Sequence, residues 1–423
     1  MYNSLLYFYQ DCIWYMKFLK SLFLSISLCI SLSTPAFSEI NSETKVKIQQ
    51  LMKETLGLEN IDLSQVDGDQ SNIYRISYEN RTFLHEIHVF GALLSGLKMI
   101  IPDNSSIEFY PQSNGKVISK LSLNFQDYLD FVNGKITEDE LSKKLEFSLN
   151  PQYQLQEKYN PLMFHTDLVA GAAYILDPNN GPSLLFSPYI NTYLDNGFIF
   201  NTRYRVPVYN VVNGFDYSKN IGLVPPGFGY TNIDYSSPVL TLPMFATLRL
   251  GHIYENTNNL LLSTDIQYML MDGLFNINLA SGFNYNVNNG LNDFSITPYA
   301  QYYLGKLDLV FEAGAGKFLG GEYGGWGRLT RQFDNVDIGF SLFRGFGAPQ
   351  SGFRLNIEFN LAIGPEHSIH AAPIRLTYPR FFSGNLVAGQ ISGSIQPRYK
   401  VEDFVKRLYP EYIKTHLYYW LGY

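Results

Sequence analysis

Apolar and polar residues alternate along most of this chain, and the alternation is clearest between residues 307 and 361. Leu309 and Phe311 share one side of the repeat there, and Asp308 and Glu312 share the other. A two-residue period predicts β-strands, because successive side chains of a strand point to opposite faces of its sheet. Such a sheet has one apolar and one polar face. This suits either a soluble core or a membrane barrel with a polar interior.

The same alternation recurs upstream, and Asn, Asp and Gly residues between the repeats predict turns between antiparallel neighbours. We expect roughly ten to twelve strands, each close to the ~9–11 residues that a membrane strand needs. A soluble β-sandwich is the alternative, because its strands also alternate. The upstream segments with the clearest period are residues 167–176, 197–208, 242–250, 260–270, 275–287 and 294–304.

Composition favours the barrel over the sandwich. Only 16% of the 423 residues are charged, against about 25% in average globular chains. No segment after the N-terminus has about 18 consecutive apolar residues, so no transmembrane helix is expected. Aromatic residues near the predicted strand ends fit the interfacial belts of membrane barrels. The net charge of −7, without a basic patch, argues against nucleic acid as a partner.

Residues 1–38 have the pattern of a secretory signal peptide. Two lysines precede a short apolar run that ends in small residues, which predicts cleavage after Ser38. Translation starts at Met1 or at Met16, and an uncleaved membrane anchor is the alternative interpretation of this segment. Both cysteines, Cys12 and Cys29, precede the cleavage site. The mature chain would therefore contain no disulfide and no thiolate metal site.

Residues 39–160 have helical spacing interrupted by short alternating segments, with denser charge than the rest of the chain. This pattern predicts a small α/β domain, which faces the periplasm if the signal peptide is cleaved. Residues 161–397 form the predicted barrel. Residues 398–423 are predicted to be a helical tail, with a terminal strand as the second interpretation. The predicted fold class is thus mainly β, an antiparallel transmembrane barrel preceded by a periplasmic α/β domain.

Part of the alternating region resembles a known family. A glycine-rich segment, residues 316–324, precedes the Arg-Gln-Phe-Asp-Asn sequence of residues 331–335, and an apolar strand follows at residues 354–361. This order resembles the YjbH family (YjbH/GfcD type) of exopolysaccharide-associated outer-membrane barrel proteins. The preceding α/β part is also similar to that family. The family pattern has a second Arg where this chain has Gln332 and a Gly where it has Val336.

The resemblance implies an outer-membrane protein that takes part in exopolysaccharide or capsule secretion or assembly and is not an enzyme. Its implied partners are the polysaccharide, outer-membrane lipid, and other export proteins that contact the periplasmic domain. A general porin or structural outer-membrane protein is one alternative. A barrel hydrolase acting on lipid or glycan, with His165 or His252, is the other. No catalytic residue, metal or cofactor is predicted, since His85 and His88 lack the spacing of a zinc motif.

Charged residues on the polar face of the predicted barrel are candidates for contact with a glycan. Parity along each strand directs most of their side chains into the lumen, whereas it does not fix the direction of Arg328 and Arg331. The competing interpretation is a lattice of ion pairs that fills the barrel. The candidates are Arg203, Arg205, Arg249, Asp265, Glu312, Arg328, Arg331 and Arg354.

Overall fold

The computed structural model describes most of the chain after residue 40, with gaps between strands and before the C-terminal tail. The predicted signal peptide lies outside the described residues. The described ranges are 41–67, 72–83, 85–151, 153, 165–169, 172–177, 181–186, 188–194, 197–210, 227–239, 242–253, 259–288, 290, 292–318, 323–333, 336–346, 353–362, 369–371, 374–377, 381–388 and 410–423.

The first sheet, formed by residues 59–149, has six strands in the order β1-β2-β3-β5-β6, with β4 paired to β3. Its strands are β1 Glu59–Asp67, β2 Asn72–Glu79, β3 Ser106–Ser113, β4 Lys116–Val117, β5 Ser119–Asn124 and β6 Glu146–Leu149. The accompanying helices are α1 Ser42–Gln50, continued by a π-helical turn Leu51–Thr55, α2 Glu86–Leu97, α3 Phe125–Val132 and α4 Glu138–Lys144. The β2–β3 pair is parallel and α2 connects its strands, whereas the other pairs are antiparallel.

Local sequence explains where these helices begin. Asn124 caps α3 by accepting a hydrogen bond from Gln126 N, and Thr137 and Glu140 form a reciprocal capping box at α4. The helices shield an apolar core that lies against the sheet. The core includes Ile76, Phe90, Phe109, Phe125 and Tyr128.

The second sheet contains the remaining seventeen strands. Its core is a run of ten consecutive antiparallel strands, β11 to β20, which confirms the prediction of a mainly β chain with antiparallel neighbours. No closure of this sheet into a barrel is detected among the described residues. The strands are β7 His165–Val169, β8 Ala172–Asp177, β9 Gly181–Phe186, β10 Tyr189–Leu194, β11 Phe198–Asn210, β12 Gly227–Pro238, β13 Met244–Ile253, β14 Asn259–Leu270, β15 Phe275–Asn286, β16 Asn292–Leu304, β17 Leu309–Lys317, β18 Tyr323–Phe333, β19 Val336–Phe346, β20 Phe353–Ala362, β21 Ile369–Ala371, β22 Ile374–Thr377 and β23 Phe381–Ala388.

The two ends of the second sheet differ in the length of their connections. At one end, 3₁₀ turns at Met271–Gly273 and Gly305–Leu307 join neighbouring strands. Asp272 (φ 56°) and Asp308 (φ 52°) adopt left-handed backbone there, a conformation that Asp tolerates better than most residues. At the other end the connections are longer, and β11 and β12 are separated by the sixteen residues 211–226. The short-turn end and the long-loop end are therefore distinct.

The C-terminal segment is helical, with α5 Pro410–Thr415 followed by a 3₁₀ helix Leu417–Gly422. The alternative of a terminal strand is wrong for these residues. Trp420 Nε1 donates to Ile87 O of α2 at 3.0 Å, and His416 Nε2 lies 3.0 Å from Asp308 Oδ1 in a short turn. Within the described part of the chain, no helix is long and apolar enough to cross a membrane.

Further contacts join the first sheet to the short-turn end of the second, and Glu39–Tyr423 forms one compact unit. Lys116 Nζ donates to Tyr235 Oη and to Ser237 Oγ, both at 2.8 Å. The Arg81 guanidinium lies 3.8 Å from the centre of the Tyr193 ring. Burial opposes the charge of Arg81, but the nearby Glu79 and Glu59 carboxylates raise its pKa overall. The junction is therefore built from buried polar contacts as well as from the tail.

Candidate functional site on the polar face of the second sheet

The two faces of the second sheet have the reverse of the usual burial. On β14, Leu262 is 44% exposed, whereas Gln267 is 0% exposed and Ser263 and Asp265 are also buried. The pattern continues on the strands that follow. A soluble sheet buries its apolar face and exposes its polar one, so this sheet needs a different surrounding from the first.

Asp234 on β12 is the centre of one buried network. It lies opposite Arg249 on β13, and the Arg249 Nε and Nη2 groups donate to its two carboxylate oxygens. Asn201 Nδ2 and Asn232 Nδ2 donate to the same carboxylate, at 3.1 and 2.6 Å. A bidentate pair supported by amides is a strong, geometrically defined contact. It ties three neighbouring strands together.

A second network crosses five strands, from β14 to β18. Gln267 Nε2 and Asn278 Nδ2 donate to Gln301 Oε1, at 3.4 and 3.3 Å. Gln301 Nε2 donates to Glu312 Oε1 at 2.5 Å, and Arg328 Nη1 donates to Glu312 Oε2 at 3.1 Å. The Glu312 side chain is almost completely buried. This row of side chains therefore places one ion pair at the end of a chain of neutral amides.

Several neutral polar atoms on the same face have no hydrogen-bond partner among the described residues. They are Asn276 Oδ1, Asn278 Oδ1, Ser295 Oγ and Trp326 Nε1. The Trp326 ring packs against Tyr299 with a centroid distance of 5.5 Å. Most buried polar atoms in folded proteins have a partner, so these atoms are available to water or to a polar ligand.

The structure brings most of the predicted candidate residues to this face. Arg249 and Asp234 form one ion pair, and Glu312 and Arg328 form another, as the ion-pair interpretation requires. Asp265 is buried on the same face. Arg203 lies on it too, two positions along β11 from Asn201. Arg249, Glu312 and Arg328 therefore hold neighbouring strands together through ion pairs.

Arg331 does not belong to this face. It lies opposite Leu309 and opposite Ile338, which is 48% exposed on the apolar side. The physical reason is parity, since Arg328 and Arg331 are an odd number of residues apart in one regular strand and must point to opposite faces. The side chains of Arg205 and Arg354 lie outside the described part of the structure, although both residues are in strands.

His85 and His88, for which no metal motif is predicted, both lie beside aromatic rings of the C-terminal tail. His85 stacks on Tyr412 of the tail with a centroid distance of 5.6 Å, and the His88 ring lies 4.6 Å from that of Tyr419. Within the described ranges, no group of three His, Cys, Asp or Glu residues could hold a metal ion. The two histidine rings thus contact the tail at the junction. The side chain of His165 lies outside the described part.

The neutral amides Asn276, Asn278 and Gln301 were not among the sequence candidates, which comprised only charged residues. Their signal was present, because asparagine occupies four of the six polar-side positions of β15. Trp326 carries no such signal, since its role depends on the register between β17 and β18.

No protein-family profile matches the chain, and no curated protein sequence matches it significantly. Function therefore has to be inferred from the reversed faces of the second sheet and from the polar groups on its buried side.

Proposed function

We propose that the chain is an outer-membrane β-barrel protein of the YjbH type that takes part in secretion or assembly of an exopolysaccharide or capsule, without catalysis of its own. The observation that carries the proposal is the exposed apolar face opposite a buried polar face. Lipid is the surrounding in which exposed Leu, Ile and Phe side chains are stable, and a closed sheet satisfies its backbone hydrogen bonds within lipid.

The dimensions of the apolar face support a membrane location. On β16, exposed apolar side chains run from Phe294 to Tyr302, which is about 27 Å along the strand and about 19–22 Å across the membrane at the usual strand tilt of about 35–45°. Outward apolar bands of membrane barrels are about 25 Å tall and are bordered by aromatic residues at both interfaces. Phe294 and Tyr302 have that bordering position.

The two ends of the sheet support an orientation. Membrane barrels of this class have short turns on the periplasmic side and longer loops outside the cell. The short turns at Met271–Gly273 and Gly305–Leu307 lie next to the tail and the α/β part. This arrangement supports a periplasmic α/β part, which would meet other export proteins there.

The buried polar face suits a glycan because its unpartnered groups are mainly neutral. Amide and hydroxyl groups such as those of Asn276 and Ser295 can exchange hydrogen bonds with sugar hydroxyls. An aromatic ring such as Trp326 offers an apolar surface for the C–H face of a sugar ring and an N–H donor at its edge. The Glu312 network reaches this part of the face through Gln301, which accepts a hydrogen bond from Asn278.

The first test is membrane fractionation of the full-length protein, combined with gel migration before and after boiling. Outer-membrane location with a heat-dependent shift is expected for a folded barrel. A periplasmic protein without a shift would overturn the membrane assignment.

The role in export is tested in a deletion strain complemented with wild-type protein or with a triple variant. Asn276→Ala, Ser295→Ala and Trp326→Phe together remove unpartnered polar groups while keeping the aromatic ring. We expect less surface polysaccharide with an unchanged heat-dependent shift. Ser281→Ala, on the opposite face of β15, is the matched control. Normal polysaccharide after deletion, with solute conductance of the purified protein, would instead indicate a porin.

A further inference from the structure

The exposed apolar face of the second sheet contains a shallow groove of about 580 Å³ across β16, β17 and β18. Phe294, Ile296 and Tyr323 stand along its long-loop side, and Pro298 and Ala315 form its floor. These three large side chains are among the most exposed apolar residues of the sheet. A groove with bulky walls and a floor of small side chains is shaped for a narrow apolar ligand.

Small residues continue the floor toward the middle of the sheet. Ala300 lies opposite Ala313, and Ala313 lies opposite Gly327. A Cβ atom added to Gly327 would meet nothing closer than Glu312 O at 3.9 Å, so neither packing nor backbone conformation requires glycine there. At Gly316, by contrast, a Cβ would lie 2.1 Å from Ile296 O. The missing side chain at Gly327 therefore affects the outer surface and not the packing of the strands.

The charged residues on the outward positions of these strands are all basic. Along β16 to β19, the residues in register with exposed apolar side chains include Lys317, Arg331 and Arg344 and no Asp or Glu. Lys317 and Arg344 lie toward the long-loop end, beside the groove, whereas Arg331 lies toward the short turns. Strand spacing and rise place the Cα atoms of Lys317 and Arg344 about 12 Å apart.

Lys317 is held in position by acceptors on β16. Its Nζ donates to Asp293 Oδ1 at 2.7 Å and to Phe294 O at 2.9 Å, and lies 3.6 Å from the centre of the Phe294 ring. These acceptors use two of the three donors of its ammonium group, and its side chain is 13% exposed beside the Asp293 carboxylate. Arg344 is exposed, and its planar guanidinium matches phosphate oxygens in shape.

We propose that this groove binds one acyl chain of a phosphorylated glycolipid, with a phosphate of its headgroup bound by Lys317 and Arg344. The inference rests on the proposed outer-membrane location, since the long-loop end then faces the outer leaflet, where lipids of this chemistry are found. The chain lies over Pro298, Ala315 and Gly327, and the phosphate lies at the level where the strands leave the membrane. Positive charge at that level and an apolar floor below it match the two parts of such a lipid.

The test uses the full-length protein in phospholipid nanodiscs to which diphosphorylated lipid A is added. Retained lipid is counted by native mass spectrometry after release from the nanodisc. The test variants are Lys317→Gln with Arg344→Gln, which removes the phosphate donors, and Ala315→Leu, which fills the groove. Two matched controls lie on the same face of the sheet. Arg331→Gln is at the opposite end of the strands, and Ala246→Leu is on the distant strand β13. Each variant is first checked for its heat-dependent gel shift.

We expect the wild-type protein and both controls to retain one lipid A molecule, and each test variant to retain it about tenfold less well, since charge-assisted hydrogen bonds are lost or the groove is blocked. Equal retention in all variants would overturn the site. Equal binding of dephosphorylated lipid A, or of phosphatidylglycerol, would overturn recognition of a phosphorylated glycolipid. A protein without a gel shift would contradict the proposed membrane location itself, which separates the two failures.

Discussion

The two sheets of this protein use the same alternating pattern but bury opposite faces. In the first sheet, Phe109 is 0% exposed beneath the helices. In the second, Ile277 is 49% exposed and its neighbour Asn278 is buried. A period of two residues states only that a strand has two unlike faces. Which face is buried depends on what surrounds the sheet, and the α/β part and the second sheet have different surroundings.

The polar faces of the two sheets also differ. In the first sheet, Glu108 on the inner strand β3 is partly exposed to water and accepts hydrogen bonds from Lys120, Arg75 and Tyr110. Burial opposes ionisation of Glu108, but these donors outweigh it and lower its pKa. In the described part of the second sheet, neutral amides lie beside the Glu312–Arg328 ion pair. The first sheet thus has a solvated polar face, and the second encloses one.

The largest expected effect comes from truncating the core of the first sheet. Phe109→Ala should destabilise the α/β part by about 3–5 kcal/mol, because it leaves a cavity beneath the helices. Phe311→Ala, on the exposed face of the second sheet, leaves no cavity and should cost much less. Urea unfolding of the full-length protein in a bilayer, followed by tryptophan fluorescence, compares the two. If both variants lost the same unfolding free energy, the apolar face of the second sheet would have to be covered.

A charge on the apolar face tests the difference directly. Leu279 lies midway along β15, is 36% exposed, and faces outward. Leu279→Arg should destabilise the folded protein in a bilayer by about 2–4 kcal/mol, as for arginine near the midplane of a membrane barrel. Folding into lipid vesicles at increasing urea measures the loss.

The control for this change is Val46→Arg on α1, where valine is 59% exposed. If water surrounds that helix, the effect should stay within about 0.5 kcal/mol. If Leu279→Arg cost as little stability as Val46→Arg, the proposed difference between the two sheets would be wrong, since an exposed leucine in water tolerates arginine.

Alternation alone was enough to predict the strands and their antiparallel order. It also predicted that Arg249, Asp265 and Glu312 lie on the polar face. It was not enough to predict what those side chains do. Parity assigns a residue to a face, but its partner depends on the register between strands, which places Asp234 opposite Arg249. The charged candidates consequently proved to be paired, and neutral amides between them were overlooked.

The junction between the two sheets was beyond sequence reasoning for another reason. Trp420 donates to Ile87 O, and Ser95 Oγ donates to Tyr423 O, across more than three hundred residues of sequence. A helical tail was predicted, but amphipathic spacing does not specify the element against which it packs. Contacts of such sequence separation depend on the completed topology of both sheets.

The buried ion pair supplies a third test of the enclosed polar face. Asp234→Asn should destabilise the second sheet by about 1–3 kcal/mol, because it leaves the Arg249 guanidinium without its carboxylate. The double variant Asp234→Asn with Arg249→Gln should recover part of the loss, since the uncompensated charge is gone. Unfolding in detergent micelles measures both. If the double variant loses more unfolding free energy than the two single variants lose together, the networks depend on each other.

The smallest expected effect concerns Glu86, which lies at the start of α2, the helix that connects β2 and β3 of the first sheet. Burial raises its pKa, although hydrogen bonds from Tyr78 and Asn80 act in the opposite direction. Because the folded-state pKa is raised, the stability that neutral Glu86 contributes is complete below the unfolded value, about 4.3. It is lost as the pH rises through the folded-state pKa. Glu86→Gln remains neutral, so its melting temperature should exceed that of wild type at pH 7 and approach it near pH 4.

Glu43 gives the matched control of opposite sign. The hydrogen bond and charge of Lys47 lower the pKa of this exposed carboxylate, so its contribution is present above the unfolded pKa and is lost as the pH falls. Glu43→Gln should therefore lower the melting temperature slightly at pH 7 and not at low pH. A difference between Glu86→Gln and wild type that does not change with pH would mean that packing, and not ionisation, is altered at this position.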